Sequence, residues 1–227
     1  MPRLLVGLGN PGRRYEGTRH NVGFDAVDRI LSSVGGRWNA PDELAGDRAS
    51  IAEAEIEGRR VTLMKPLTYM NLSGEPVSEW ARAHSIERTD VLVYLDDVAL
   101  SLGRLRLREL GTDGGHNGLK SVLESLGGTD VPRVRIGIRP NVLQGPKSKD
   151  EPDGRLEELA DFVLAPFTAE ERLLVDDVLS RVVSATHVIM SEGTRGMAKA
   201  MSLYNAAPSP ANEANEAGEA GEAGEDR

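Results

Sequence analysis

Several loops of this chain carry side chains able to hold a polar ligand or to move a proton. His20-Asn21 precedes a helical pattern, and Met70-Asn71 lies within PLTYMNLSGEP. Asp96-Asp97 follows the apolar run VLVYL, His116-Asn117 lies in TDGGHNGLKS, and Asn10 stands in GLGNPG. Histidine changes charge near pH ~6.5 and is the usual side chain for proton transfer at neutral pH. A carboxylate at the end of a buried strand sits where α/β folds place ligands. In GGHNG, adjacent glycines permit positive φ or close approach of another molecule, and Asn117 stands where a helix N-cap is expected. A lone loop histidine is more often structural than catalytic, and an asparagine more often a cap. The grouping, each member beside a glycine or a strand end, is what suggests a site. The other two histidines, His84 and His187, fall on helical segments and read as structural.

The elements that must position these residues follow an α/β pattern. Leu4–Leu8 reads as a buried strand, and Val22–Val34 as a helix capped by Asn21, with Phe24, Val27, Ile30, Leu31 and Val34 on one face. Ser50–Glu57 and Arg60–Lys65 flank Gly58 as a hairpin, and a short helix is expected near Val77–His84. Val91–Leu95 reads as a second buried strand. Leu105 and Leu107 alternate with Arg104, Arg106 and Arg108 in a half-exposed one, and RVRIGI at 133–138 is another. Asn117–Leu126, Thr168–Glu192 and Thr194–Tyr204 are helices, and Asn141–Arg155 is a polar loop. Strands interleaved with helices predict an α/β fold: a single domain with a mixed twisted sheet covered by helices.

Of the 227 residues, 39% are hydrophobic, enough to bury a substantial core, and there is no cysteine, which rules out disulfides and thiolate metal sites. The opening MPRLLVGLGN has one basic residue and too short an apolar run for a signal peptide or a membrane span, so a soluble cytoplasmic protein is expected. The net charge is −9, but residues 206–227 hold six acidic residues and one arginine, leaving −4 on the rest. That Ala/Glu/Gly-rich segment has nothing to pack and reads as a disordered extension of a domain spanning 1–205. A polyanion would have to be met by a local basic patch.

Gly7-Leu8-Gly9-Asn10-Pro11-Gly12 matches the dinucleotide fingerprint G-x-G-x-x-G literally. That motif needs a helix opening within it, whereas helical periodicity starts only near Val22, and no acidic residue ends a second strand at the expected distance. A tight loop that fixes Asn10 above the sheet edge is the alternative.

In order and spacing, VGLGNPG with YEGTRHNVGF, KPLTYMNLSG, LDD, GGHNGLKS, RVRIGI and DFVLAPF resemble the bacterial-type peptidyl-tRNA hydrolase family, from about Arg3 to Tyr204. The resemblance implies cleavage of the ester between a peptide and the 3′ ribose of tRNA, by a monomer needing no cofactor, metal, membrane or obligate protein partner. It makes His20 the general base and Asp96 its orienting carboxylate. Asn10, Asn71 and Asn117 are the amides of the site, Tyr15 and Met70 line the cleft, and His116 belongs to the substrate channel. Arg108 and Arg135 match two basic residues that hold the tRNA 5′-phosphate, although the same alternation equally describes a solvated strand face. The chemistry agrees: an ester needs an activated water and donors for the developing oxyanion, and a carboxylate on the far ring nitrogen of a histidine fixes its tautomer. Two departures stand out. Val98-Ala99-Leu100-Ser101 replaces the family's acidic and proline positions after Asp97, which puts that turn in question, and the 141–155 loop is longer than usual. Two other functions are weighed against hydrolysis: an RNA-binding homologue that has lost the chemistry, and a dinucleotide enzyme.

Overall fold

Near-continuous apolar runs give the central strands two buried faces, and helices cover both. The computed structural model describes residues 1–39, 46–140 and 155–206. Six strands form one sheet: β1 (Leu4–Gly7), β2 (Ala49–Ile56), β3 (Arg59–Pro66), β4 (Val91–Ser101), β5 (Leu105–Arg108) and β6 (Arg133–Arg139). Their spatial order is β2-β3-β1-β4-β6-β5. β1 runs parallel to β3 and β4, and β4 parallel to β6; β2 and β5 are antiparallel edges. The mixed sheet expected from the sequence is therefore present. The helices among the described residues are α1 (Val22–Ser33), α2 (Gly74–Ala83), α3 (Asn117–Leu126), α4 (Arg155–Leu164), α5 (Ala169–Ser191) and α6 (Gly196–Tyr204). None is long and apolar enough to cross a membrane.

Leu5, Leu63, Leu92, Tyr94, Val134 and Ile136 face α1, α5 and α6 in one core. Their strand neighbours Leu4, Val6, Met64, Val91, Val93 and Leu95 face α2 and α3 in the other. The α1 backbone lies directly on the sheet at Gly23, where a Cβ would collide with the carbonyls of Leu8 and Tyr94. This close seating sets the height of the turn that precedes α1.

Three local expectations change. Arg155, the last residue of the polar loop expected at 141–155, is the first residue of α4; residues 141–154 lie outside the described residues, as does nearly all of the 206–227 extension. No turn follows Asp97. β4 runs on to Ser101 through an irregularity in its pairing with β6, and Asp97 Oδ1 accepts the Ala99 N–H at 2.8 Å. The Val-Ala-Leu-Ser sequence is apolar enough to extend the strand. Finally, neither asparagine expected as a helix cap makes a side-chain cap bond. At α3 the N-cap is His116, whose Nδ1 accepts the Leu119 N–H at 3.1 Å, and Asn117 is the first helical residue. At α1, Asn21 occupies the cap position, but its side chain bonds elsewhere.

Candidate active site

The C-terminal end of β1 lies beside the first half of β4, two residues before Asp96, because the strands are parallel with Gly7 opposite Tyr94. The loop after β1 carries Asn10, a single 3-10 turn at Arg19–Asn21 carries His20, and β4 itself carries Asp96. The turn before α3 supplies His116, with Gly114 and Gly115 held at φ 61° and 82°. Both glycines have open space where a Cβ would stand, so the demand is on the backbone conformation rather than on room. Together these residues line a cavity of about 480 Å³, whose opposite wall is Leu159, Ala160, Val163 and Leu164 of α4.

At the cavity floor, Asp96 is 3% exposed. Its Oδ1 meets two imidazoles: His20 Nδ1 at 2.8 Å and His116 Nε2 at 2.9 Å, with the ring centroids 5.0 Å apart. Burial pushes the Asp96 carboxyl up, but the two imidazoles more than offset it and hold the group well below the usual carboxylate range. A carboxylate accepts only, so each imidazole nitrogen facing it carries a proton. For His116 both nitrogens are then committed, since Nδ1 already accepts from Leu119. For His20 only Nδ1 is committed, and no protein group among the described residues pairs with Nε2. Two histidines on one carboxylate thus have different capacities, and only His20 has a free basic nitrogen.

Asn10 is oriented by its neighbours. The Asn21 side chain accepts the Asn10 N–H at 2.8 Å and donates to the Asn10 carbonyl at 3.0 Å. The Met70 N–H donates to Asn10 Oδ1 at 2.9 Å, which fixes the amide with its oxygen toward Met70 and leaves its NH₂ without a partner among the described residues. Asn10 and Asn117 both line the cavity. Met70 is buried behind it, with its side chain against Gly118. Asn71 is exposed beside Met70, and Tyr15 is half-buried under the Arg14 guanidinium; neither is in the cavity wall.

Two contributors escaped the sequence reading. Asn21 is one, because its position before a helix suggests a cap and its actual partner is 11 residues back. The other is Arg19, 6% exposed. Its guanidinium donates to the carbonyls of Ala165 and Pro166 at 3.2 and 3.0 Å and to Glu171 Oε2 at 2.6 Å, and it packs on the rings of Phe162 and Phe167. It fastens the His20 turn to the end of α4. The DFVLAPF motif, which supplies most of these partners, was its only signal.

His20, Asp96 and His116 also form a possible metal-ligand set, with their ligand atoms within 4.8 Å of one another. To ligate through Nε2, neutral His116 would have to carry its proton on Nδ1, where it would face the Leu119 N–H donor. The set fits a hydrogen-bonded relay better than a cation. The loop after β1 leads into a 3-10 turn at Arg13–Tyr15 and not into an α-helix, so the literal G-x-G-x-x-G match lacks the helix N-terminus a pyrophosphate needs.

Beyond the cavity, the register of β5 and β6 places Arg106 opposite Arg135 and Arg108 opposite Arg133, on one face. Arg133 is 2% exposed and spends its guanidinium on the carbonyls of Val131, Gly111, Thr112 and Thr129. Arg135 Nε lies 2.6 Å from Asp97 Oδ2 but outside hydrogen-bonding alignment, so that contact is a charge pairing. Asp97 in turn lines the cavity.

Comparison with known proteins agrees with this geometry. Residues 4–213 match the family described as Peptidyl-tRNA hydrolase. The chain is 42% identical over 203 residues to the peptidyl-tRNA hydrolase of Thermotoga petrophila, covering 89% of this chain and 97% of that one. It is also 42% identical to that of Chloroflexus aggregans, covering 89% and 98%. The crystal structure of peptidyl-tRNA hydrolase from Acinetobacter baumannii superposes with a TM-score of 0.77 at 32% identity, covering 90% of this chain and 95% of that one. Sequence, fold and relatives converge, and the chain belongs to the peptidyl-tRNA hydrolase family.

Proposed function

We infer that this protein hydrolyses the ester of peptidyl-tRNA, releasing peptide and free tRNA, with a water activated by His20. The observation that carries the mechanism is the hydrogen bond from His20 Nδ1–H to Asp96 Oδ1, which leaves Nε2 as the acceptor. A water in the cavity gives a proton to Nε2 while its oxygen bonds to the ester carbonyl carbon. The imidazolium formed is stabilised by the Asp96 carboxylate. Negative charge on the former carbonyl oxygen is met by the side-chain amides of Asn10 and Asn117. Collapse breaks the bond to the ribose oxygen, which takes the proton back from His20. Asn71, Tyr15 and Met70 are assigned to substrate contact, Met70 also through its N–H bond to Asn10.

We assign Arg108 and Arg135 to the tRNA 5′-phosphate. They lie diagonally on one face of adjacent strands, and guanidinium pairs with phosphate through charge-assisted bonds. Arg133 is spent on backbone carbonyls and drops out as an alternative. The catalytic domain is taken as 1–205 with 206–227 as an appended tail, and the protein as a cytoplasmic monomer, which sedimentation at working concentration checks. The deciding experiment compares an N-acylated aminoacyl-tRNA with its free-amine form. Rapid release from the former alone supports the reading, and release from neither refutes it.

A further inference from the structure

His116 shares its acceptor with the proposed base. His20 Nδ1 and His116 Nε2 both point at Asp96 Oδ1, at 2.8 and 2.9 Å. His116 cannot exchange this role for another, because its Nδ1 is the N-cap acceptor of α3. A proton moved from Nε2 onto Nδ1 would break that cap and set one N–H donor against another, the Leu119 N–H. The ring is therefore fixed as an Nε2–H donor. An oxygen that accepts two N–H groups gives less to each than it would give to one. We propose that His116 is a positioning residue acting through Asp96: by occupying part of Oδ1, it limits how strongly the carboxylate stabilises the protonated form of the His20 ring. This rests on His20 as the base, and it departs from a substrate-channel role for His116. A base that holds its proton too firmly would return it slowly to the leaving ribose oxygen, so a divided acceptor suits a group that must take and give within one turnover.

The surroundings leave this pair dominant. Among the described residues, the only other titratable group in the cavity wall is Asp97 on β4, which is paired with Arg135 of β6. Asp113 precedes His116 and accepts the Gly115 N–H. Among the described residues, α4 lines the cavity with Leu159, Ala160, Val163 and Leu164, and the loop after β1 lines it with Asn10.

The test variant is His116→Asn. Asparagine is a strong N-cap and preserves the start of α3, but it is too short to reach Asp96. With Oδ1 returned wholly to His20, the acid limb of the kcat/KM profile should move to higher pH by about half to one unit. A peptide-contact role would instead raise KM by one factor at every pH and leave the limb in place, and that result would overturn the proposal. Long-range ¹H–¹⁵N correlation on the unaltered protein gives a second measurement, independent of activity and of which residue is the base. His116 should appear as the Nε2–H tautomer with Nδ1 unprotonated, and the opposite tautomer overturns the proposal even if the variant fails to fold.

Discussion

Asn21 does not itself line the cavity, yet replacing it should damage both stability and turnover through one neighbour that does. Its side chain satisfies the N–H and the carbonyl of Asn10, at 2.8 and 3.0 Å, in a place where both residues are buried. Asn21→Ala leaves two backbone groups without partners, each at a cost of about 1–3 kcal/mol, for a total of roughly 2–6 kcal/mol. For a chain of this size, about 2–4 °C of Tm follows each kcal/mol, so a fall of roughly 4–24 °C is expected by calorimetry. Only the bond from the Met70 N–H then still holds the Asn10 amide. Complete loss of an oxyanion donor typically costs about 10²–10³ in kcat, and a misplaced one should cost at least roughly tenfold. The assay is a double-mutant cycle with Asn10→Ala at a temperature where all variants are folded. The kinetic effect of Asn21→Ala should nearly vanish once Asn10 is already gone, while the Tm effect persists. Full additivity in kcat would refute the idea that Asn21 works by holding Asn10.

His20→Ala should remove most turnover, roughly 10²–10⁴-fold, with tRNA binding nearly intact; turnover within threefold of the parent would remove His20 from its role. Asp96→Asn should be milder but clearly impaired in single-turnover assays. Because the imidazoles hold the Asp96 carboxyl below the usual range against the effect of burial, its stabilising contribution is complete above about pH 4 and lost as the pH falls through its folded value. Acid unfolding of Asp96→Asn should therefore have a shallower pH slope than the parent below about pH 4. The Arg108→Ala/Arg135→Ala variant should show a raised KM, a near-constant kcat and a salt slope lower by about 0.7–0.9 per lost contact. If it still prefers a 5′-phosphorylated substrate as strongly as the parent, the contact lies elsewhere, with Arg106 opposite Arg135 the next candidate. Truncation after residue 206 should leave Tm and turnover little changed, and a large loss of either would give the tail a structural role.

Much of this was legible because the signals were local. The apolar run VLVYL and the alternation in RVRIGI mark buried strands, and the hairpin around Gly58 is placed to within a residue or two. The candidate residues sat at strand ends and glycine turns, and five of them, Asn10, His20, Asp96, His116 and Asn117, do line one cavity. What was missed depends on tertiary partners. His116 caps α3 ahead of the more usual asparagine because its ring reaches both the Leu119 N–H and Asp96. Asn21 is drawn from its own helix by the buried backbone of Asn10. α4 was not anticipated as an element, because its first residues are polar and continuous with a Pro/Gly-bearing stretch.

The fastening of Arg19 also bears on the order in which the molecule matures. Its side-chain bonds close loops of 146 to 152 residues, from the turn beside His20 to Ala165, Pro166 and Glu171. Closing such loops is entropically slow, and local elements such as the β2–β3 hairpin form long before it. The sheet can therefore assemble with its chemistry still unaligned, and the wall opposite His20 arrives only when the last third of the chain docks. Recovery of catalysis during refolding should accordingly lag behind recovery of far-ultraviolet circular dichroism, and an Arg19→Met chain should widen that lag more than it lowers the final helical signal.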